Sequence, residues 1–191
     1  APTGVLNYGE EDARGVFQNG KAAFMRNWPY AWSLGNGADS PIKGKIGVSA
    51  LPSATAGGKG GAALGGWQLA VSKYSKNVDA AADLVMFLTS TNMQKERAIK
   101  GSYNPTVRSL YLDKEVLAAN PFYGDLHSVF TNASPRPATV TGLKYPEVSQ
   151  AFWNATHEVL SGKATAEDSL KRLDGRLKQI HAAHDLSEAS Q

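Results

Sequence analysis

The chain contains no cysteine, and that one absence removes a disulfide scaffold, a thiolate metal site and a cysteine nucleophile together. It also lacks any apolar run near the ~20 residues a membrane-spanning helix requires. Charge of one sign is missing too. The 20 basic and 17 acidic side chains leave +3, scattered rather than massed, which argues against nucleic acid as a partner. No Gly-x-Ser-x-Gly elbow is present for serine hydrolase chemistry. The opening Ala1-Pro2-Thr3-Gly4 is neither a starting Met nor a basic region followed by an apolar stretch. It reads as a mature form or as a piece of something longer.

What is present is an ordinary globular composition, 191 residues with 42% hydrophobic and 19% charged, about one domain's worth of chain. Glu10, Glu11 and Asp12 favour a helix N-terminus by the dipole, Ala13, Val16 and Phe17 form its apolar stripe, and Gly20 ends it. Ala22–Met25, Lys45–Leu51 and Trp67–Val71 read as strands, the second stopped by Pro52. Between the last two lies Ser53–Gly66, an irregular loop with six glycines. Asn77 is placed to cap a helix to about Thr89, which Leu84, Val85, Phe87 and Leu88 mark as largely buried. A more polar helix follows over Asn92–Lys100, ended by Gly101.

From Tyr103 to Tyr145 the chain is rich in Pro, Asn, Ser and Thr, with one short helical piece around Asp113–Ala119. Two helices close it. Pro146 suits the first turn of one that Gly162 ends, and Thr165 with Asp168 resembles a capping box ahead of Leu170, Leu173, Leu177 and Ile180. The pattern is mixed α/β with long connections.

Most motifs reduce to structure. Gly57-Gly58-Lys59-Gly60-Gly61 fails as a phosphate loop, because Gly60 stands where Ser or Thr should bind magnesium and Ser53 where the first glycine belongs. His181 and His184 have a spacing two metal ligands could use, but no third ligand joins them, and a solvated helix end explains them. His127 and His157 are isolated. Paired carboxylates for glycoside chemistry stay open, though most of the 17 acids fall on helix faces.

The aromatics are different. Trp28, Tyr30 and Trp32 lie within five residues around Pro29, which interrupts regular structure, and Trp67 follows two glycines. A pyranose stacks its C–H faces on aromatic rings while its hydroxyls seek donors and acceptors at the rim. A glycine before such a ring admits the ligand to the backbone N–H, and a guanidinium donates to two hydroxyls at once. Gly65-Gly66-Trp67 and Pro135-Arg136-Pro137 supply those parts.

The segments Phe17–Ser33, Gly44–Ser53, Gly65–Asn77 and Ala81–Ser90, with the closing "VLSGKATAEDSLKRL", resemble the extracellular solute-binding proteins (family 1) of ABC sugar importers. More narrowly they are similar to the trehalose/maltose-binding branch. The resemblance implies the periplasmic-binding-protein type II fold, two α/β lobes that close on a sugar about a hinge. Such proteins are commonly about twice the length of this 191-residue chain, and the matching segments belong to their C-terminal half. It therefore implies residues 1–44 and 101–191 in the C-terminal lobe, with 45–100 crossing to the N-terminal lobe.

The resemblance also implies a site. Trp28 and Tyr30 occupy an aromatic motif that stacks on the sugar, Gly66 and Trp67 a Gly-Gly-Trp facing the cleft, and Arg136 the place of an arginine reaching a bound disaccharide. Trp153 is a weaker match and Trp32 reads as packing. The implied protein is not an enzyme and takes no cofactor or metal. It captures a trehalose- or maltose-type α-glucoside outside the cytoplasmic membrane, periplasmic or extracellular, lipid-anchored or free, for an importer's membrane subunits. The missing N-terminal half completes the site. The competing readings are a carbohydrate-active enzyme domain and an interaction module indifferent to sugar. If 45–100 belongs to the other lobe, its apolar face should be exposed in this chain alone.

Overall fold

The computed structural model describes residues 2–58 and 60–188, with side chains to residue 182. Lys59 of the glycine-rich loop and the His184 side chain lie outside the described residues. The chain divides into two compact units, Gly9–Pro135 and the pair Ala1–Tyr8 with Arg136–Gln191.

In the larger unit α1 spans Glu10–Gln18, where the Asp12 carboxylate accepts from the Gly9 N–H at 2.9 Å and three acids face the dipole. Gly20 takes φ +70° and ends it as expected. Helix α2 spans Tyr30–Gly35, with Pro29 at its N-cap in helical geometry. Pro29 therefore starts a helix rather than breaking structure, because the N–H it lacks would have had no partner in a first turn.

Helices α3 (Val78–Thr89) and α4 (Thr91–Gly101) follow. Ser90 separates them and caps α4, its Oγ accepting from the Met93 N–H at 3.4 Å. Asn77 stands at the N-cap of α3, yet its side chain makes no capping bond. Gly101 remains helical, and it is Ser102 that adopts the left-handed turn, φ +52°. Its buried hydroxyl donates to Asn120 Oδ1 at 2.5 Å, and that bond holds the turn in place of glycine's freedom.

The core of this unit lies where polar composition pointed to loops. A 3₁₀ turn over Arg108–Leu112, α5 (Lys114–Ala119) and α6 (Tyr123–Thr131) pack on α4 around Ala98, Tyr111, Val116, Tyr123 and Leu126. Asp113 caps α5, accepting from the Glu115 and Val116 N–H groups at 2.9 and 3.1 Å. Lys95 Nζ, 2.9 Å from Asp113 and 3.1 Å from Glu115, ties α4 to that cap and holds the Asp113 carboxyl below its ordinary range.

The three expected strands are absent as regular strands. Ala22–Met25, Lys45–Leu51 and Trp67–Val71 enter no ladder among the described residues. Their apolar patterning survives, but a strand exists only by the hydrogen bonds of a neighbour, and no described strand pairs with them. The described sheet is a parallel pair, β1 (Ala63–Leu64) with β2 (Ser134–Pro135), in which Ala63 faces Ser134 and Leu64 faces Pro135. Helix α3 departs from expectation for the same reason. It buries no residue, and Leu84, Met86 and Phe87 are 56%, 71% and 58% exposed. Ala81, Val85 and Leu88 are half-buried, so one stripe is covered and the rest is bare.

The smaller unit is a helical hairpin, α8 (Tyr145–Leu160) and α9 (Ala166–Glu188), preceded by the single turn α7 (Ala138–Thr141). Pro146 sits in the first turn and Gly162 takes φ +72° after the last, as expected. Thr165 Oγ1 accepts from the Asp168 N–H at 3.1 Å and donates to its carboxylate at 2.8 Å, a capping contact with the acid facing the hydroxyl. Val148, Leu173 and Ile180 fill the seam, while Leu170 is exposed. Ser169 donates to the Ala155 carbonyl at 3.0 Å, and Arg172 pairs with Glu158 at 2.7 Å.

Candidate functional site

Four of the five expected site residues lie in the larger unit. Trp28 precedes α2, with its N–H donating to Asn27 Oδ1 at 2.6 Å. The Trp28 carbonyl accepts from the Ala31 N–H at 3.2 Å, so the first turn of α2 is anchored on the residue carrying the ring. The residue is 37% exposed. Tyr30 opens α2 and is held from two directions. Its ring stacks on Tyr103, centroids 6.3 Å apart and planes 12° from parallel. Its hydroxyl reaches back to α1, 2.8 Å from Glu10 Oε1 and 2.5 Å from Glu11 Oε1.

Burial first, then the two carboxylates, pushes the Tyr30 phenol well above its usual range. The Arg14 guanidinium, bonded to Glu11, holds that carboxyl below its ordinary value, with the Tyr30 hydroxyl adding to the effect. Trp32 packs edge-on against Phe122 at 5.2 Å, a packing role as read from the sequence.

Gly66 and Trp67 follow β1 after Gly65. Trp67 is fully exposed, at 104%, and nothing stands within 4 Å of where a Gly66 Cβ would lie. No neighbour among the described residues packs on either of them. Among the described residues no aromatic contact joins Trp67 to Trp28 or Tyr30.

Arg136 begins the smaller unit, immediately after β2. It is exposed, its carbonyl accepts from the Ala138 N–H at 2.8 Å, and its guanidinium forms no ion pair among the described residues. Pro135 closes the strand pair and Pro137 caps α7, so regular structure flanks the arginine on both sides. Trp153, on α8, is 54% exposed.

Two further features were not foreseen. Glu10, Glu11 and Tyr103 gather around Tyr30 although nothing in the acid triplet distinguishes it from an ordinary helix start. In the smaller unit a groove of about 360 Å³ runs between α8 and α9, with Glu158, Arg172 and Arg176 on its walls. It contains none of the five expected residues. No group of three or more metal-ligating side chains occurs among the described residues, and no described helix is long and apolar enough to cross a membrane.

The family model of the bacterial extracellular solute-binding proteins matches residues 1–95. A probable ABC transporter-binding protein of Deinococcus radiodurans is 58% identical over 180 residues, covering 94% of this chain and 43% of that protein. A probable amino-acid ABC transporter periplasmic-binding protein of Sinorhizobium fredii is 24% identical over 192 residues, covering 40% of that protein. Among solved structures, T. maritima MalE3 with maltose bound superposes with a TM-score of 0.85 at 46% identity, covering 94% of this chain and 45% of that one. The chain thus spans less than half the length of the relatives it matches. The fold is that of the matching 45% of this MalE-type periplasmic-binding protein.

Proposed function

We propose that this chain, similar to the bacterial extracellular solute-binding proteins over residues 1–95, is part of a non-catalytic capture protein that delivers a disaccharide of the trehalose or maltose type to an ABC importer. The observation that carries the reading is the likeness to maltose-bound MalE3, at 46% identity across 94% of this chain. The names of the family and of the Deinococcus relative are those of transport proteins, which supports capture over catalysis.

In this reading Trp28, Tyr30 and Trp67 are the stacking walls. Indole and phenol rings bury a pyranose face at little entropic cost, since each has only two torsions to fix. Arg136 and the backbone at Gly66 serve the hydroxyls, the guanidinium as a forked donor and the glycine by leaving space for close approach. Exposure of Trp67 and the openness around Gly66 support this. Residues 45–100 carry the crossing to a second lobe, with α4 at their end returning to pack on α5 and α6, while 1–44 and 101–191 build the first lobe. The bare face of α3 and the unpaired segments 45–51 and 67–71 are what a chain awaiting that lobe would present. Closure of the two lobes on the sugar, outside the cytoplasmic membrane, makes the form the membrane subunits receive.

Calorimetric titration of the full-length protein with maltose, trehalose and sucrose tests the reading. Micromolar or tighter binding of one of them is expected. Trp67→Ala and Arg136→Ala should each weaken it at least about tenfold, as desolvated anchors do. Losses below about 1 kcal/mol for both would sink the site assignment.

A further inference from the structure

The grip on Tyr30 goes beyond what a stacking ring requires. A phenol offers two faces, an edge and one hydroxyl proton. Here Tyr103 lies parallel to the ring at 6.3 Å, with the Arg97 guanidinium 5.1 Å from the Tyr103 ring centre. The hydroxyl proton is already committed, since the oxygen lies within bonding distance of carboxylates 19 and 20 residues earlier in the chain. One proton serves two acceptors, so the phenol is bound whichever carboxylate takes it. Such charge-assisted bonds are the stronger kind. Arg14 fixes Glu11 in turn, with Nε 2.9 Å from Glu11 Oε2 and Nη2 2.5 Å from the same oxygen. Gln18 Nε2 donates to the Leu34 carbonyl at 3.3 Å, a second tie between α1 and α2.

We propose that Glu10 and Glu11 are positioning residues for ligand capture, setting the tilt of the Tyr30 ring through its hydroxyl while Tyr103 supports the ring from the side. The ligand then meets the ring and not the hydroxyl, which has no proton left to give. This rests on the reading of Tyr30 as a sugar-stacking ring. Sequence alone gives Glu10 and Glu11 only a dipole role, and that role alone would leave binding untouched by their loss.

The test is a set of variants of the full-length protein, titrated calorimetrically with maltose, trehalose and sucrose, with heat unfolding followed alongside. E10A/E11A should weaken the bound sugar about tenfold by freeing the ring, and should also lower the unfolding temperature, because the lost bond lies within the protein itself. Y30F should weaken it by a similar factor. Adding Y30F to E10A/E11A should cost no more than about a further twofold, because all three changes delete one interaction. E10Q/E11Q keeps two acceptors without their charge and should bind between E10A/E11A and the native protein.

Full affinity in E10A/E11A while Y30A abolishes binding would overturn the positioning role and leave the stacking reading intact. Additive losses in the triple variant would overturn it too, since the carboxylates would then act other than through the phenol. Native affinity in Y30A, or binding of none of the three sugars, would overturn the stacking reading and this proposal with it.

Discussion

Helices α3 and α4 are consecutive, of similar length and separated only by Ser90. Their sequences are opposites. Helix α3 reads VDAAADLVMFLT and α4 TNMQKERAIKG, yet it is the polar helix that enters the core. Ala98 of α4 is 0% exposed among Tyr111, Val116 and Tyr123, while Phe87 of α3 is 58% exposed and no α3 residue is buried. Apolar content measures how much burial a helix would gain; it does not say what part of which chain supplies the cover. Helix α4 finds its cover in α5 and α6, and α3 does not.

That contrast can be broken most directly in the core. Tyr123→Ala should destabilise this chain by about 3–5 kcal/mol in urea unfolding, the range for deleting a buried aromatic. A loss as small as a surface change would mean the core had been placed on the wrong side of the contrast. Next in size is Trp67→Ala, expected to cost sugar binding in the full-length protein at least about 1.4 kcal/mol, a tenfold change. Being fully exposed, it should leave the unfolding midpoint of this chain in place, and a large stability loss would make Trp67 a packing residue instead.

Phe87→Ala sharpens the comparison because its cost should depend on the rest of the protein. In this chain it should stay within about 0.5 kcal/mol, as for other surface substitutions. In the full-length protein it should rise to about 2 kcal/mol or more if another lobe covers α3. Equal costs in the two would refute the idea that α3 waits for a partner. Phe87→Asp should likewise reduce self-association of this chain, measured by sedimentation, since it interrupts an exposed apolar stripe.

The smallest effect lies at the cap that joins α4 to α5. Asp113 titrates below its ordinary value of 3.8, chiefly because Lys95 bonds its charged form. A depressed carboxyl contributes stability that is complete above 3.8 and lost as pH falls through the lowered value. Asp113→Asn should therefore flatten the acid limb of the stability profile and leave the neutral-pH shape alone. An unchanged acid limb would show that the Lys95 contact carries no linkage.

Where the determining interaction is local, the sequence was legible. The helix starts at Glu10 and Pro146, the stops at Gly20 and Gly162, and the Thr165–Asp168 contact need only a few neighbouring residues. Where it is remote, reading failed in both directions. The segments 22–25, 45–51 and 67–71 have strand patterning and no strand partner among the described residues, while Tyr111, Tyr123 and Leu126 form a core inside a stretch whose prolines and polar residues point to loops. The site divides the same way. Trp28, Tyr30, Gly66, Trp67 and Arg136 were picked out by residue type and resemblance, but the pairing of Tyr30 with Glu10, Glu11 and Tyr103 spans 20 residues on one side and 73 on the other.

The sequence by itself carried the resemblance to the solute-binding proteins, the closing helical hairpin and the aromatic and glycine residues from which a sugar wall is proposed. These follow from residue type and from contacts a few positions apart. Tertiary structure alone decided that α4 rather than α3 is buried, that Ser102 rather than Gly101 takes the left-handed turn, and that two carboxylates of α1 hold the phenol of α2. Each depends on which distant residue arrives alongside, and hydrogen bonds and burial reward only the neighbour that is there.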